Sequence, residues 1–386
     1  MKPVFDIDLN YNLSKDSFIY DNNTNESFLD LFSMFSALLL GYNHSIFNKE
    51  FEQDLITIGK IKTSNKAFKT EVYNRFDKSF KEWVSDFHNT HYCSTGALAV
   101  EAACKCAFFH NPNKKQILTF KRSFHGIYGF TTFLTDKFST TESRLNYLPP
   151  NIRLNNCCPD DFTLNLLLEN PEHAKEMIPD VAGILVEPIK CTYGDEFWDK
   201  KDLASLRKLA DILNVPLIFD EIQIGFGATG KQWYYQHLDI IPDILIYGKR
   251  TQISGIATSK KYEMPNMSDT LCCTWDGDVV DMLRCIYIMK AFKENNILDN
   301  VNQSARFIKE ALKDNSNFVF ENEGLIMSAK FKTTEERDKF YTYLFDNKIL
   351  SNSTGEKCIR FRPNLSISLS EIDLFVKVIN EYNKKK

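Results

Sequence analysis

The amino-acid sequence predicts an α/β protein built on a mainly parallel sheet with helices on both faces. Two observations carry that prediction. The runs Gln116–Phe120, Ala182–Val186, Pro216–Phe219 and Ile244–Tyr247 are short, β-rich and apolar at consecutive positions. That is the pattern of strands covered on both faces rather than on one. Amphipathic stretches separate them, as in Lys201–Leu213, where Leu203, Leu206, Leu209, Ala210 and Leu213 recur at helical spacing. Strand–helix alternation of this kind implies a doubly wound core.

Taken in order, Met1–Asn22 is polar, with neither a basic n-region nor an apolar h-region, so no secretory signal is expected. Ala97–Phe109 reads as a helix entered through Ser94-Thr95-Gly96. The pattern changes after Val279. Helices are expected over Val279–Glu294, Ser304–Lys313 and Thr334–Phe345, with strands near Ile326–Phe331 and Ile359–Arg362 and a last helix after Ser370. This α+β region predicts a small domain of residues 1–44 and 281–386 beside a large domain of residues 45–280. The closing Lys384-Lys385-Lys386 reads as a solvated tail.

Composition narrows the function classes. With 386 residues, 43% hydrophobic and 25% charged, the chain can bury a sizeable core and is not a disordered or fibrous type. A net charge of −4 lacks the basic excess of a nucleic-acid binder. No apolar run approaches the ~20 residues of a membrane span. Ten cysteines are scattered without a C-x-x-C pair, which favours reduced thiols in a cytoplasm over a disulfide framework. His88, His91 and Cys93 lack a fourth ligand at metal-site spacing, so no metal is expected.

The chemistry is carried by the residues just past each strand, because ligands of open α/β sheets gather at the strands' carboxyl ends. Pro216–Phe219 runs into Asp220-Glu221-Ile222-Gln223, and Ile244–Tyr247 into Gly248-Lys249. Gly96-Ala97 opens a helix whose backbone N–H groups suit a phosphate. An acid, a lysine at a glycine turn and an anion pocket are the parts of a pyridoxal phosphate site. Alone, each has a plainer reading: a strand-end acid, a surface lysine, a helix cap.

Together the parts are more specific. Val186-Glu187-Pro188, the run Ile218 to Gly227 with Thr229-Gly230, and Pro242-Asp243-Ile244 leading to Gly248-Lys249 resemble the class III aminotransferases. These are pyridoxal 5'-phosphate (PLP) enzymes of transferase fold type I. Within the class the chain is most similar to the L-lysine 6-aminotransferases. That likeness rests on Leu29–Phe35 with Leu40–His44, on Gly248–Gln252, and on Ile359–Pro363. The resemblance covers Leu29 to Ile372.

The resemblance implies a role for each matching residue. Lys249 forms the Schiff base with the cofactor and acts as general base and acid. Asp220 pairs with the pyridine nitrogen, and Gln223 approaches the ring 3-oxygen. Gly96 and Ala97 bind the phosphate, and Phe124 stacks on the ring. Thr274 reaches the phosphate of a partner subunit, so a homodimer is implied. Arg360 binds a substrate carboxylate, for which a planar guanidinium is suited. Its neighbour Arg362 reads as a structural or surface charge. The substrates implied are an amino donor, bearing a terminal amine, and an oxo-acid acceptor.

Three departures bear on substrate choice. Ile127 stands where the family carries an arginine after His-Gly. Thr192 stands where lysine 6-aminotransferases place the glutamate that pairs with the C-terminal arginine. Asp276-Gly277-Asp278 replaces Gly-Gly-Asn and adds charge near the expected site mouth, either attracting an amine or forming a solvated turn. The changes predict altered substrate choice and weakened recognition of a dicarboxylic acceptor. Decarboxylation, racemisation or elimination with the same cofactor remains open, as does a binding role on a degenerate fold.

Overall fold

A computed structural model describes residues 4–136, 157–265, 267–313 and 315–384; Lys385 and Lys386 of the expected tail lie outside them. The described chain opens with an antiparallel pair, β1 (Phe18–Asp21) and β2 (Glu26–Asp30). Next come β3 (Asn89–Cys93), β4 (Gln116–Leu118) and β5 (Val181–Val186). A small hairpin, β6 (Ile189–Lys190) and β7 (Glu196–Phe197), precedes β8 (Leu217–Asp220), β9 (Ile244–Tyr247) and β10 (Ser254–Thr258). The last are β11 (Val319–Glu323), β12 (Ile326–Lys330), β13 (Ile349–Leu350), β14 (Asn352–Thr354) and β15 (Cys358–Phe361).

The central sheet has the order β3-β10-β9-β8-β5-β4. β4, β5, β8 and β9 pair in parallel, while β10 is antiparallel to both of its neighbours. Successive strand residues point to opposite faces, and here both faces are apolar. Val181, Ile184, Leu217, Phe219, Leu245 and Tyr247 join the core that holds Leu203, Leu206 and Leu209 of the Lys200–Leu213 helix. Ala182, Leu185, Ile218, Ile244 and Ile246 join a second core with Ala99, Ala103 and Ala107 of the Gly96–His110 helix. The consecutive apolar runs thus do what they predict.

β3 and β10 escape the sequence pattern. β10 reads Ser-Gly-Ile-Ala-Thr, too small and polar to signal a buried strand. Its glycine is required: a Cβ on Gly255 would lie 2.2 Å from the His91 carbonyl oxygen and 2.5 Å from the Tyr247 hydroxyl. The helix expected over Ser304–Lys313 starts earlier and spans Ile297–Ala311, burying Ile297, Val301, Ser304 and Ile308 along one face.

Beyond the central sheet, β11, β12, β15 and β14 form an antiparallel sheet flanked by the Thr334–Asp346 and Leu369–Lys384 helices. β13 pairs in parallel with β2, so the two ends of the chain meet in one sheet. Among the described residues no helix is long and apolar enough to cross a membrane.

Candidate active site

The site forms where β8 and β9 end. Lys249 begins a short 3-10 turn directly after β9 and Gly248. Its φ of 53° lies in the left-handed region, a strained conformation for a residue with a Cβ. Burial lowers its amine from the usual lysine value to about 8, and the cations Arg360 and Arg250 push the same way. A neutral, nucleophilic amine is therefore accessible near neutral pH.

Asp220 is the last residue of β8 and is buried. One carboxylate oxygen lies 2.8 Å from Nδ1 of the buried His125, and the other accepts the Ile222 N–H at 3.2 Å. Glu187, just beyond β5, accepts the backbone N–H of Phe124 at 2.8 Å. Burial raises the Glu187 carboxyl to about 7, opposed by the nearby His125 and Lys249.

A cavity of about 230 Å³ brings together Gly96, Ala97, Phe124, Asp220, Gln223 and Lys249. His125, Glu187 and Ser254 line it too, and nothing in the sequence pattern alone gives them a role. His125 and Glu187 do sit inside distinctive motifs, Phe124-His125-Gly126 and Val186-Glu187-Pro188. Ser254 begins the strand that left no pattern.

The remaining expected residues, Thr274 and Arg360, do not line this cavity. Thr274 is exposed on a turn outside it. Arg360, on β15, is only 9% exposed and donates to the Cys191 carbonyl at 3.1 Å. No carboxylate lies within ion-pair distance of it among the described residues. Arg362, by contrast, forms a buried bidentate pair with Asp195 and also donates to the Met327 carbonyl at 3.1 Å. It is a structural charge, not a surface one. Ile127 is 50% exposed. Thr192 is buried, and its carbonyl accepts the Thr354 hydroxyl.

In the Asp276-Gly277-Asp278 turn the two carboxylates are placed differently. Asp276 is buried and accepts from Ser94 and Cys273, while Asp278 caps the Val279–Glu294 helix through the Val280 N–H at 2.9 Å. Asp276 is therefore not a solvated surface charge, whereas Asp278 is half-buried and uses one carboxylate oxygen as the helix cap. The described residues contain no group of His, Cys, Asp and Glu able to hold a metal, and His88 instead faces Glu263 at 3.4 Å. Cys191 is buried, its thiol pushed up to about 12, whereas Cys273 is exposed.

The donor set fits a phosphorylated pyridine aldehyde. Lys249 supplies the amine, Asp220 a buried anion, and Phe124 an apolar ring. The Thr95 side chain caps the Gly96–His110 helix by accepting the Leu98 N–H. That leaves the Gly96 and Ala97 N–H groups without an acceptor among the described residues, at the cavity edge. Two unmatched donors at a helix N-terminus suit an anion.

Comparison with known proteins points the same way. A family model described as aminotransferase class-III matches residues 3–382. The chain is 29% identical to the L-lysine-epsilon aminotransferase of Mycobacterium bovis, over 97% of this chain and 91% of that protein. It is 28% identical to the 4-aminobutyrate aminotransferase of Dictyostelium discoideum, over 97% and 85%. The solved lysine aminotransferase from M. tuberculosis superposes with a TM-score of 0.89 at 27% identity, covering 98% of this chain and 94% of that one. The ornithine aminotransferase from Toxoplasma gondii shares the fold, with a TM-score of 0.83 at 20% identity, over 99% and 93%.

Proposed function

The chain belongs to the class-III aminotransferases, PLP-dependent enzymes of fold type I, and from that premise we propose that it takes the terminal amine of a donor and passes it to an oxo acid. When bound, the cofactor supplies an aldehyde for the amine and a ring that withdraws electrons from the bond being broken. The chain's own residues do the rest.

Lys249 holds the cofactor and then moves a proton at its Nζ, a task suited to an amine whose pKa lies close to neutrality. Asp220 would hold the ring nitrogen with its negative charge, and His125 fixes that carboxylate's orientation. Phe124 covers the ring face, held by the Glu187 bond to its backbone N–H. Gln223 faces the ring oxygen. Gly96 and Ala97 would hold the phosphate, and Thr274 of the partner subunit would complete that anion site, making the active unit a homodimer. The two-lobe division into residues 45–280 and residues 1–44 with 281–386 has support in the β2–β13 pairing. Unpaired cysteines support a cytoplasmic placement.

The observation that carries the substrate reading is a buried Arg360 whose charge acts on the Lys249 amine and which has no carboxylate partner among the described residues. It is an open anchor for a substrate carboxylate. Thr192 offers no carboxylate to neutralise it, so its charge persists in both half-reactions. Ile127 provides no second cation. A dicarboxylic acceptor thus lacks one bidentate partner, a loss of ~1.5–3 kcal/mol. The test is a donor screen on holoenzyme with lysine, ornithine, short diamines and amino sugars, following the cofactor spectrum before any acceptor is added. A spectral change with a terminal-amine donor is expected. Ordinary turnover of lysine with 2-oxoglutarate would overturn the altered substrate choice, and silence across the panel would overturn the reading as a whole.

A further inference from the structure

Asp276 is buried, 5% exposed, and its carboxylate has no cationic partner among the described residues. Instead it gathers donors from two distant parts of the chain. One oxygen accepts the Ser94 backbone N–H at 2.7 Å and the Ser94 hydroxyl at 2.6 Å. The other accepts the Cys273 backbone N–H at 2.7 Å. Charge-assisted bonds of this number satisfy a buried carboxylate without an ion pair.

The two segments it joins matter. Ser94 lies two residues before Gly96, where the helix with the unmatched N–H groups begins. Cys273 directly precedes Thr274. Other contacts secure the second segment from outside: the Lys66 amine reaches the Cys272 carbonyl at 3.4 Å, the Lys105 amine the Thr270 carbonyl at 3.2 Å, and Asn65 the Gly277 carbonyl. The Ser94 hydroxyl also reaches the Trp275 carbonyl at 3.1 Å, so Asp276 carries most, but not all, of the direct bonding between this segment and the entry of the Gly96 helix.

We propose that Asp276 is a positioning residue for the phosphate end of the cofactor site, clamping the Ser94-Thr95 entry turn to the Cys273-Thr274 turn. The inference rests on the reading that Gly96 and Ala97 hold the phosphate. The carboxylate stands where the resembling family has glycine, a residue that could make none of these bonds. The clamp orders the backbone ahead of Gly96, so the Gly96 and Ala97 N–H groups are held in place before an anion arrives.

The experiment uses full-length apoprotein, titrated with PLP and, separately, with pyridoxal, which lacks the phosphate. Asp276→Ala is expected to weaken PLP binding about tenfold or more and to leave pyridoxal binding nearly unchanged. Asp276→Asn, which keeps one acceptor oxygen, should recover part of the loss. Equal weakening for both ligands, or none, would overturn the clamp. Should Asp276→Ala fail to fold, the Asn variant carries the same comparison. Ala97→Pro removes one donor and serves as the control. If it leaves the PLP-to-pyridoxal ratio unchanged, the phosphate reading fails. If it lowers the ratio while the Asp276 variants do not, only the clamp fails.

Discussion

The proposed cofactor side and the proposed substrate side of the site are built by different means. On the cofactor side, Asp220 and Lys249 occupy the ends of adjacent parallel strands, β8 and β9, so the sheet itself sets their spacing. On the substrate side, Arg360 and Arg362 are held by the loop between β6 and β7, through Cys191 and Asp195. Those bonds link residues 169 and 167 positions apart. A site divided in this way can retain its chemistry while its substrate preference changes. The departure at Thr192 falls in the same loop that holds Arg360 and Arg362, whereas the strand-end residues match the family pattern.

The contrast can be broken at its strongest point first. Lys249→Ala removes the group proposed to carry both the cofactor and the proton, so turnover should fall about a thousandfold or more. The visible absorbance of lysine-bound cofactor should vanish with it. Activity within tenfold of the parent would contradict the assignment.

Asp195→Ala tests the substrate-side scaffold. It leaves Arg362 buried and unpaired, which should cost about 3–5 kcal/mol of stability in denaturant unfolding. Asp195→Ala with Arg362→Met should recover much of that loss, because the uncompensated charge goes too. No difference between the single and double variants would mean that the pair does not hold this loop.

A smaller effect is expected at Arg360. Arg360→Ala should raise the KM for the oxo acid about ten- to a hundredfold, leaving the cofactor spectrum intact. Arg360→Lys should remain impaired, since a point charge does not reproduce bidentate binding. A spectral change without a KM change would move Arg360 to the cofactor side.

The smallest effects are in pH dependence. Lys249 is lowered to about 8, so its neutral fraction grows as pH rises through that value. Cofactor capture by apoprotein should accelerate through pH 8 and level off above it. A midpoint near 10.5, the ordinary lysine value, would contradict the buried-amine account. Glu187 works in the opposite sense. Raised from 4.5 to about 7, it binds more protons folded than unfolded between those values, so its stabilising contribution fades as pH climbs through the window. Glu187→Gln should flatten that slope in apoprotein thermal melts.

Legibility from the sequence divides along the same line. The strand runs, the Gly96 helix entry and the Asp220 and Lys249 positions are readable because they depend on local pattern. The Ala182–Val186 run and the Val279–Glu294 helix have nearly or fully the expected bounds. His125 is not readable as a partner of Asp220, because 95 residues separate them and only the fold brings them together. Asp276 reads as a surface or mouth charge, because nothing local shows that Ser94, 182 residues away, supplies two donors to it. β10 leaves no signal because its small residues answer to close backbone approach rather than to hydrophobic burial.

The central claim is that this site transfers a donor's terminal amine through Lys249. The direct measurement is an isotope transfer: holoenzyme is incubated with donors labelled with ¹⁵N at the terminal amine, then with an oxo acid, and the new amino acid is analysed by mass spectrometry. The account predicts that the label appears in the new amino acid with the parent enzyme and not with Lys249→Ala. Label left entirely in the donor, with loss of carbon dioxide or of stereochemistry instead, would contradict it.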